Sequence, residues 1–157
     1  MPLIAPPSRR KTPHEPTAAE RTARSRVRLY PCAAIFDEYD GFIRSLGFLR
    51  GRESAMLIVA GDEVLDNLIT HGEISAAGVC VLVRRRRSGL TLAFFVDSHR
   101  EFEEFARSVG DHAGARPRFD QREGRWHGLG LTMCRNIASS VSYRPGDLVD
   151  RVFLSFD

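Results

Sequence analysis

Residues 61–71 read GDEVLDNLITH, a run in which apolar and polar side chains repeat at helical spacing. The apolar members are Val64, Leu65, Leu68 and Ile69. They predict the buried face of a helix over 52–70, packed on a sheet. Polar residues spaced four apart stay on one side of a helix, so the polar members form two neighbouring columns. The columns are Glu63, Asn67 and His71, and beside them Asp62, Asp66 and Thr70.

The polar side of this helix has an unusual composition. Asp and Asn are poor residues for a helix interior, because their side chains compete with the backbone for hydrogen bonds. No Lys or Arg occurs between Glu53 and His71, so the carboxylates lack the partners that stabilise a plain surface helix. Oxygen ligands on one face suit Mg²⁺, which keeps water and phosphate oxygens as its other ligands. A solvated polar surface is the alternative that this helix alone leaves open.

Runs rich in β-branched and aromatic residues flank this helix and predict strands. The strands are expected at 27–30, 79–83, 90–96, 141–143 and 152–156. Further helices are expected over 33–46, 101–109 and 128–141, the last with Val141 facing inward. The element order predicts an α+β fold, a two-layer α/β sandwich whose mixed, mostly antiparallel sheet has helices on one face. We expect a hairpin loop over 84–89, with its four arginines solvated, and a long loop over 110–125.

Composition sets limits on domain organisation and location. The chain has 157 residues, enough for one domain with a real core. Residues 1–25 carry five of the eight prolines and many charges, which predicts a flexible basic arm before a domain at 26–157. No apolar run is long enough to span a bilayer, and we expect a cytoplasmic protein with no membrane contact. Three widely spaced cysteines argue against a disulfide framework or a zinc site.

The charge of the chain favours anionic partners without choosing among them. The formal net charge is +3, concentrated in the arm and in the four arginines at 84–87. Single-strand binders interleave aromatic residues with their basic ones, and neither basic run shows that pattern. Nucleic acid is therefore an unfavoured partner on the sequence alone.

Two further motifs lie beyond the polar helix. Asp97 ends an apolar strand, where a carboxylate can accept a hydrogen bond from the amino group of adenine; alternatively it caps a following helix. Gly128-Leu129-Gly130-Leu131 opens a predicted helix, whose N–H groups and positive end suit phosphate. A simple glycine-containing turn is the alternative there.

Taken in chain order, three motifs resemble the N box, G1 box and G2 box of the GHKL (Bergerat) ATPases. They are Glu63-x₃-Asn67-x₃-His71, Val96-Asp97 and Gly128-Leu129-Gly130-Leu131. The resemblance covers roughly 27–157 and is greatest to the single-domain anti-sigma factor serine kinases, which have a histidine kinase-like ATPase domain. It implies a Bergerat ATP-binding fold with ATP and Mg²⁺ as cofactors, and it makes the loop before Gly128 the ATP lid. One departure is His99, which stands where the G1 box has glycine.

The resemblance also implies roles for individual residues. Glu63 is similar to the general base, and Asn67 to the Mg²⁺ ligand. Asp97 is similar to the adenine-binding carboxylate, and His71 to a pocket-lining histidine. The phosphate-side residues would be Gly128, Leu129, Gly130 and Leu131.

The implied function is that of an anti-sigma-type regulator. Such a protein phosphorylates a serine on a STAS-type anti-anti-sigma partner and sequesters a sigma factor, and two copies can pair as a homodimer. The alternative, suggested by His99, is a catalytically degenerate module that binds nucleotide or docks on a protein. A sensor-kinase fragment is disfavoured, since the chain leaves no room for long paired helices with a phospho-acceptor histidine.

Overall fold

The computed structural model describes residues 23–71, 74–97, 118–121, 125–127 and 129–157. The described part contains three helices and seven strands. In chain order these are β1 (Arg24–Leu29), α1 (Ile35–Ser45), α2 (Gly51–His71), β2 (Val79–Arg86), β3 (Gly89–Asp97), β4 (Arg118–Asp120), β5 (Arg125–His127), α3 (Leu129–Ile137), β6 (Ser140–Arg144) and β7 (Val149–Phe156). This composition confirms the predicted α+β class.

Five of these strands form one open sheet, in the order β1-β2-β3-β7-β6. Every neighbouring pair in it is antiparallel. The described sheet is therefore fully antiparallel, where the sequence predicted a mixed and mostly antiparallel one. β4 and β5 form a separate two-stranded antiparallel pair.

One face of the sheet forms the core together with the helices. Side chains alternate between the two faces of a strand, so every second residue of the central strands is buried. On this face the buried residues of β2, β3 and β7 are Val79, Val81, Val83, Leu90, Leu92, Phe94, Val96, Asp150, Val152, Leu154 and Phe156. Ala93 of β3 is buried on the opposite face. The helices add Ile35, Tyr39, Ile43, Leu57, Val64, Leu65, Leu68 and Cys134 to the same cluster. This arrangement agrees with the predicted sandwich of a sheet and a helical layer.

Helices α1 and α2 touch through a tyrosine and a glycine. The Tyr39 side chain is fully buried, and its hydroxyl donates a hydrogen bond of 2.6 Å to the carbonyl oxygen of Leu57. A Cβ atom on Gly61 would overlap the Tyr39 ring and hydroxyl. The absence of a side chain at position 61 therefore allows α1 to approach α2 closely. Burial raises the pKa of Tyr39, which keeps the phenol protonated as a donor.

The predicted hairpin loop at 84–89 is wrong for its first three residues and for Gly89, which begins β3. Strand β2 continues through Arg86, which pairs with Gly89, so only residues 87 and 88 form the turn. Gly89 has a φ of +134°, a conformation that a glycine adopts without strain. Arg85 points to the core side, where it pairs with Glu53 at 2.5 Å and donates to the Phe48 carbonyl oxygen at 3.2 Å.

Other boundaries also differ from the predictions. Residues 118–120 and 125–127 pair as β4 and β5, so the segment 110–125 is not a continuous loop. The predicted helix over 128–141 ends at Ile137, and Val141 lies in β6 opposite Leu154, because the last strand offers it a pairing partner. The predicted helix over 101–109 lies outside the described residues.

Two further corrections concern the ends of elements. Strand β1 begins at Arg24, three residues before the predicted strand at 27–30, because its backbone pairs with β2 as far as Arg84. Ile69, predicted to be inward, is 43% exposed, whereas its neighbour Leu68 is buried. No helix in the described ranges has the length and apolar character needed to cross a membrane.

Candidate functional site

The polar side of α2 meets the first turn of α3. Glu63 lies against Gly130, and a Cβ atom at position 130 would overlap the Glu63 carboxylate. One turn further along α3, the Cys134 thiol donates to the Ala60 carbonyl oxygen at 3.5 Å, which fixes α3 against α2. Burial, with a smaller effect of the Glu63 charge, raises the pKa of Cys134 to about 12, so the thiol remains neutral. The fold thus brings residues of the first and third sequence motifs into contact.

Asn67 lies one helical turn beyond Glu63 in the same column. Its Nδ2 donates a hydrogen bond of 2.7 Å to the Glu63 carbonyl oxygen. Since a carbonyl oxygen can only accept, this bond fixes which end of the amide faces the helix and leaves Oδ1 as an oxygen ligand. An amide oxygen is a ligand type that Mg²⁺ accepts, with water and phosphate oxygens completing its octahedron. The Asn67 side chain therefore fits the metal that the motif implies.

Carboxylates are crowded beside this column. Burial, and after it the charges of Asp40 and Glu63, raise the pKa of Asp62 from 3.8 to about 6. The Asp62 Oδ1 atom is buried and has no hydrogen-bond partner among the described residues. Burial first and the charge of Asp66 second raise the pKa of Glu63 as well. The contribution of Asp40 was missed from the sequence, because it comes from α1 and only the helix packing brings it near.

Across the described ranges, no group of three or more His, Cys, Asp or Glu side chains is placed to hold a metal ion. The candidate Mg²⁺ position therefore depends on the amide of Asn67, with few protein ligands and the phosphates as the main ones.

Asp97 ends β3, as the sequence predicted, and has a partner that the sequence did not reveal. Its Oδ2 accepts a hydrogen bond of 2.5 Å from the Ser75 hydroxyl, and the Ser75 oxygen accepts one of 3.1 Å from the Ala77 N–H. This leaves the Asp97 Oδ1 atom for a further donor. By strand alternation Asp97 is on the same face of the sheet as Phe95, opposite the core, and no hydrogen bond among the described residues joins it to α2. Ser75 lies in the segment between α2 and β2, so it is a residue that motif spacing could not identify.

The remaining predicted site residues are described only in part. His71 is the last residue of α2, and Leu129 and Leu131 belong to the first turn of α3, but their side chains lie outside the described set. Gly128 and His99 lie outside it entirely. The described geometry therefore brings together Glu63, Asn67 and Gly130, and places Asp97 at a strand end with Ser75.

The described part of the chain defines a class of fold, an α+β protein with an open five-stranded antiparallel sheet and three helices. No protein-family model matches the chain, and no curated protein matches it. A family assignment consequently depends on the motifs and on the contacts around α2.

Proposed function

We propose that the chain is a GHKL (Bergerat-type) protein that binds ATP with Mg²⁺ between α2 and α3. The observation that carries the proposal is the contact between Glu63 and Gly130. The two residues belong to motifs that are far apart in the sequence and that the resemblance assigns to one pocket. Gly130 has no side chain at the point where one would displace the Glu63 carboxylate. Such a close contact between Gly130 and Glu63 is expected if the two motifs form one pocket, and it is not expected of two unrelated motifs.

The nucleotide would extend from the start of α3 towards the end of β3. The start of a helix has N–H groups without intrahelical acceptors and carries the positive end of the helix dipole, so the first turn of α3 would favour phosphate. Mg²⁺ bound through the Asn67 Oδ1 atom would neutralise part of the phosphate charge. The Asp97 Oδ1 atom would accept the hydrogen bond of the adenine amino group, while Ser75 fixes the orientation of the carboxylate.

The proposed reaction transfers the γ-phosphoryl group of ATP to a serine hydroxyl of a partner protein. Glu63 would accept the hydroxyl proton as a bond forms from the serine oxygen to phosphorus, and the bond to the departing ADP oxygen breaks. A base with a raised pKa holds that proton more strongly, which favours this role. The new phosphate adds about −1.5 to −2 charges to the partner. The resemblance extends this proposal to an anti-sigma-type kinase that phosphorylates a STAS-type anti-anti-sigma protein and sequesters a sigma factor.

Calorimetric titration with ATP, with and without Mg²⁺, tests the pocket. We expect Mg²⁺-dependent binding by the wild type, loss of the Mg²⁺ dependence in Asn67→Ala, and at least tenfold weaker binding in Asp97→Asn. Asp66→Asn is the matched control, since this exposed residue lies in the adjacent column of α2. A folded wild type that binds no ATP would contradict the proposal, as would an Asn67→Ala variant with unchanged Mg²⁺ dependence.

A second experiment separates a kinase from a binding module. Glu63→Gln keeps the size of the side chain but removes the proton acceptor, so we expect retained ATP binding and no phosphoserine on the antagonist protein. If the wild type binds ATP but phosphorylates nothing, the alternative of a catalytically degenerate docking module replaces the kinase. His99, in the position of the G1 glycine, is the sequence feature that motivates this alternative.

A further inference from the structure

The sheet has a second face, opposite the core, which we call the open face. Antiparallel partners lie on the same side of a sheet, so the register identifies its members. Across the five strands the three central rows are Arg24–Arg84–Thr91–Ser155–Ser140, Arg26–Leu82–Ala93–Phe153–Ser142 and Arg28–Cys80–Phe95–Arg151–Arg144. None of these residues belongs to the core cluster that the helices cover.

The open face carries a concentrated positive charge. Six arginines occupy its three rows, namely Arg24, Arg26, Arg28, Arg84, Arg144 and Arg151. Within the described ranges none of the six forms a salt bridge. Asp97 is the only carboxylate among the described strand residues of this face, and it is hydrogen-bonded to Ser75. The field above the face therefore attracts anions.

Two pairs of arginines on the open face repel each other across neighbouring strands. Arg24 lies directly opposite Arg84, and Arg144 directly opposite Arg151. Like charges in directly opposed positions of neighbouring strands repel each other and destabilise the sheet. A bound polyanion would relieve both repulsions at once. A second copy of this chain would instead bring six more arginines against the six, so the open face does not suit self-association.

The centre of the open face is aromatic. The rings of Phe95 and Phe153 meet edge to face, with centroids 6.1 Å apart and planes at 82°. The Arg144 guanidinium lies 5.3 Å from the centre of the Phe153 ring. Both phenylalanines are only partly buried. The two rings share their rows of the face with Arg26, Arg28, Arg144 and Arg151.

We infer that the open face binds single-stranded nucleic acid, with phosphates on the arginines and bases against Phe95 and Phe153. Aromatic rings set among basic side chains are the combination that single-strand binders use. The sequence alone did not indicate this combination of aromatic and basic side chains, because Phe95 and Phe153 become neighbours of these arginines only through the register of β3, β7 and β6. Each nucleotide supplies both a charge and a flat apolar ring, whereas an acidic polypeptide supplies the charge without the ring.

The shape of the surface disfavours a duplex. The major groove of B-DNA admits a helix or a two-stranded ribbon. Five strands spaced about 4.8 Å apart make a platform of roughly 19 Å, which is too broad to enter that groove. The three rows differ from the proposed Mg²⁺ and phosphate positions, since Asn67 and Glu63 lie on α2 in the helical layer. Asp97 lies on the open face beyond these rows, so the test replaces only residues of the rows themselves.

Fluorescence anisotropy of the full chain with labelled oligo(dT) and oligo(U) tests the inference. Strands of about 20 nucleotides exceed the site size of a single small domain. We expect saturable binding, with an affinity that falls as salt rises. In Arg26→Gln/Arg151→Gln the slope of log K against log salt should decrease by about 1.4, because each lost phosphate contact contributes about 0.7. The control is Arg52→Gln, which removes one charge from an exposed position on α2, outside the open face. We expect its affinity for the oligonucleotides to stay within twofold of that of the wild type.

A charge-neutral variant tests the aromatic part. Phe153→Leu keeps an apolar side chain and all six arginines, and we expect roughly fivefold weaker binding or more, since stacking of one base is lost. Circular dichroism establishes that each variant is folded. The inference is overturned if neither oligonucleotide binds, if Phe153→Leu and the wild type bind equally, or if a duplex of the same length binds as tightly. Competition by poly-glutamate at equal charge, as effective as that by oligo(dT), would overturn it in favour of an acidic polypeptide.

Discussion

Replacing Asp62 by Asn should stabilise the protein above neutral pH and leave its stability unchanged in acid. In the folded chain, burial and the charges of Asp40 and Glu63 raise the pKa of Asp62 from 3.8 to about 6. The folded state therefore holds the Asp62 proton more tightly than the unfolded chain does. Its contribution to stability is fully present below about pH 4 and is lost as the pH rises through about 6.

The size of the effect follows from that difference in pKa. A change from 3.8 to about 6 corresponds to at most about 3 kcal/mol, at about 1.4 kcal/mol for each pH unit. The Asp62 carboxyl is partly exposed, so solvent screening reduces the figure to about 1 kcal/mol. Asn has the shape of Asp without its charge, so the variant should recover this amount at about pH 8 and nothing at about pH 4.

Urea unfolding followed by circular dichroism at both pH values measures the difference. Asp66→Asn is the control on the same helix, because Asp66 is exposed and its replacement should change the free energy of unfolding by less than about 0.5 kcal/mol. Equal gains for Asp62→Asn at the two pH values would refute the electrostatic explanation. A loss of stability at high pH would show that the Asp62 carboxylate has a favourable partner instead.

Three other substitutions test the packing. Gly61→Ala should lower the free energy of unfolding by about 1–3 kcal/mol, because the new Cβ would overlap the buried Tyr39 ring. Gly41→Ala, whose Cβ would meet open space on α1, should raise the free energy of unfolding by up to about 1 kcal/mol. Urea unfolding of the two variants measures the difference. Gly130→Ala should retain the stability of the wild type, because the flexible end of Glu63 can move aside, and yet lose ATP binding in calorimetry. Binding of ATP by a folded Gly130→Ala protein would exclude the proposed position of the phosphates.

The helical layer was largely predictable because its pattern is local. The spacing of Val64, Leu65 and Leu68 identified the buried side of α2, and all three are buried. Ile69 belongs to the same pattern but lies near the helix end, where the layer beneath it no longer covers it. Periodicity reports which side a residue is on, but not how far the neighbouring elements extend.

The sheet was less predictable because its register depends on distant residues. Nothing in the run at 84–87 shows that pairing with β3 continues to Arg86, and charged residues favoured a loop there. Likewise, the hydrogen bond from Ser75 to Asp97 and the contact of Glu63 with Gly130 join separate segments. Motif order could suggest that the second pair share a site, but only the packing of α3 on α2 places them in contact.

The position of β7 between β3 and β6 also has a consequence for biosynthesis. Residues 149–156 form two ladders of the sheet, so β1, β2 and β3 can pair as the chain leaves the ribosome while the far edge of β3 stays unpaired. During that interval the backbone of β3 at Leu92 and Phe94 has no strand paired with it on that side. An exposed strand edge of this kind is a template for association with other chains. Slow translation of the segment between β3 and β7 would lengthen this exposure, and a chaperone that shields the β3 edge would shorten it.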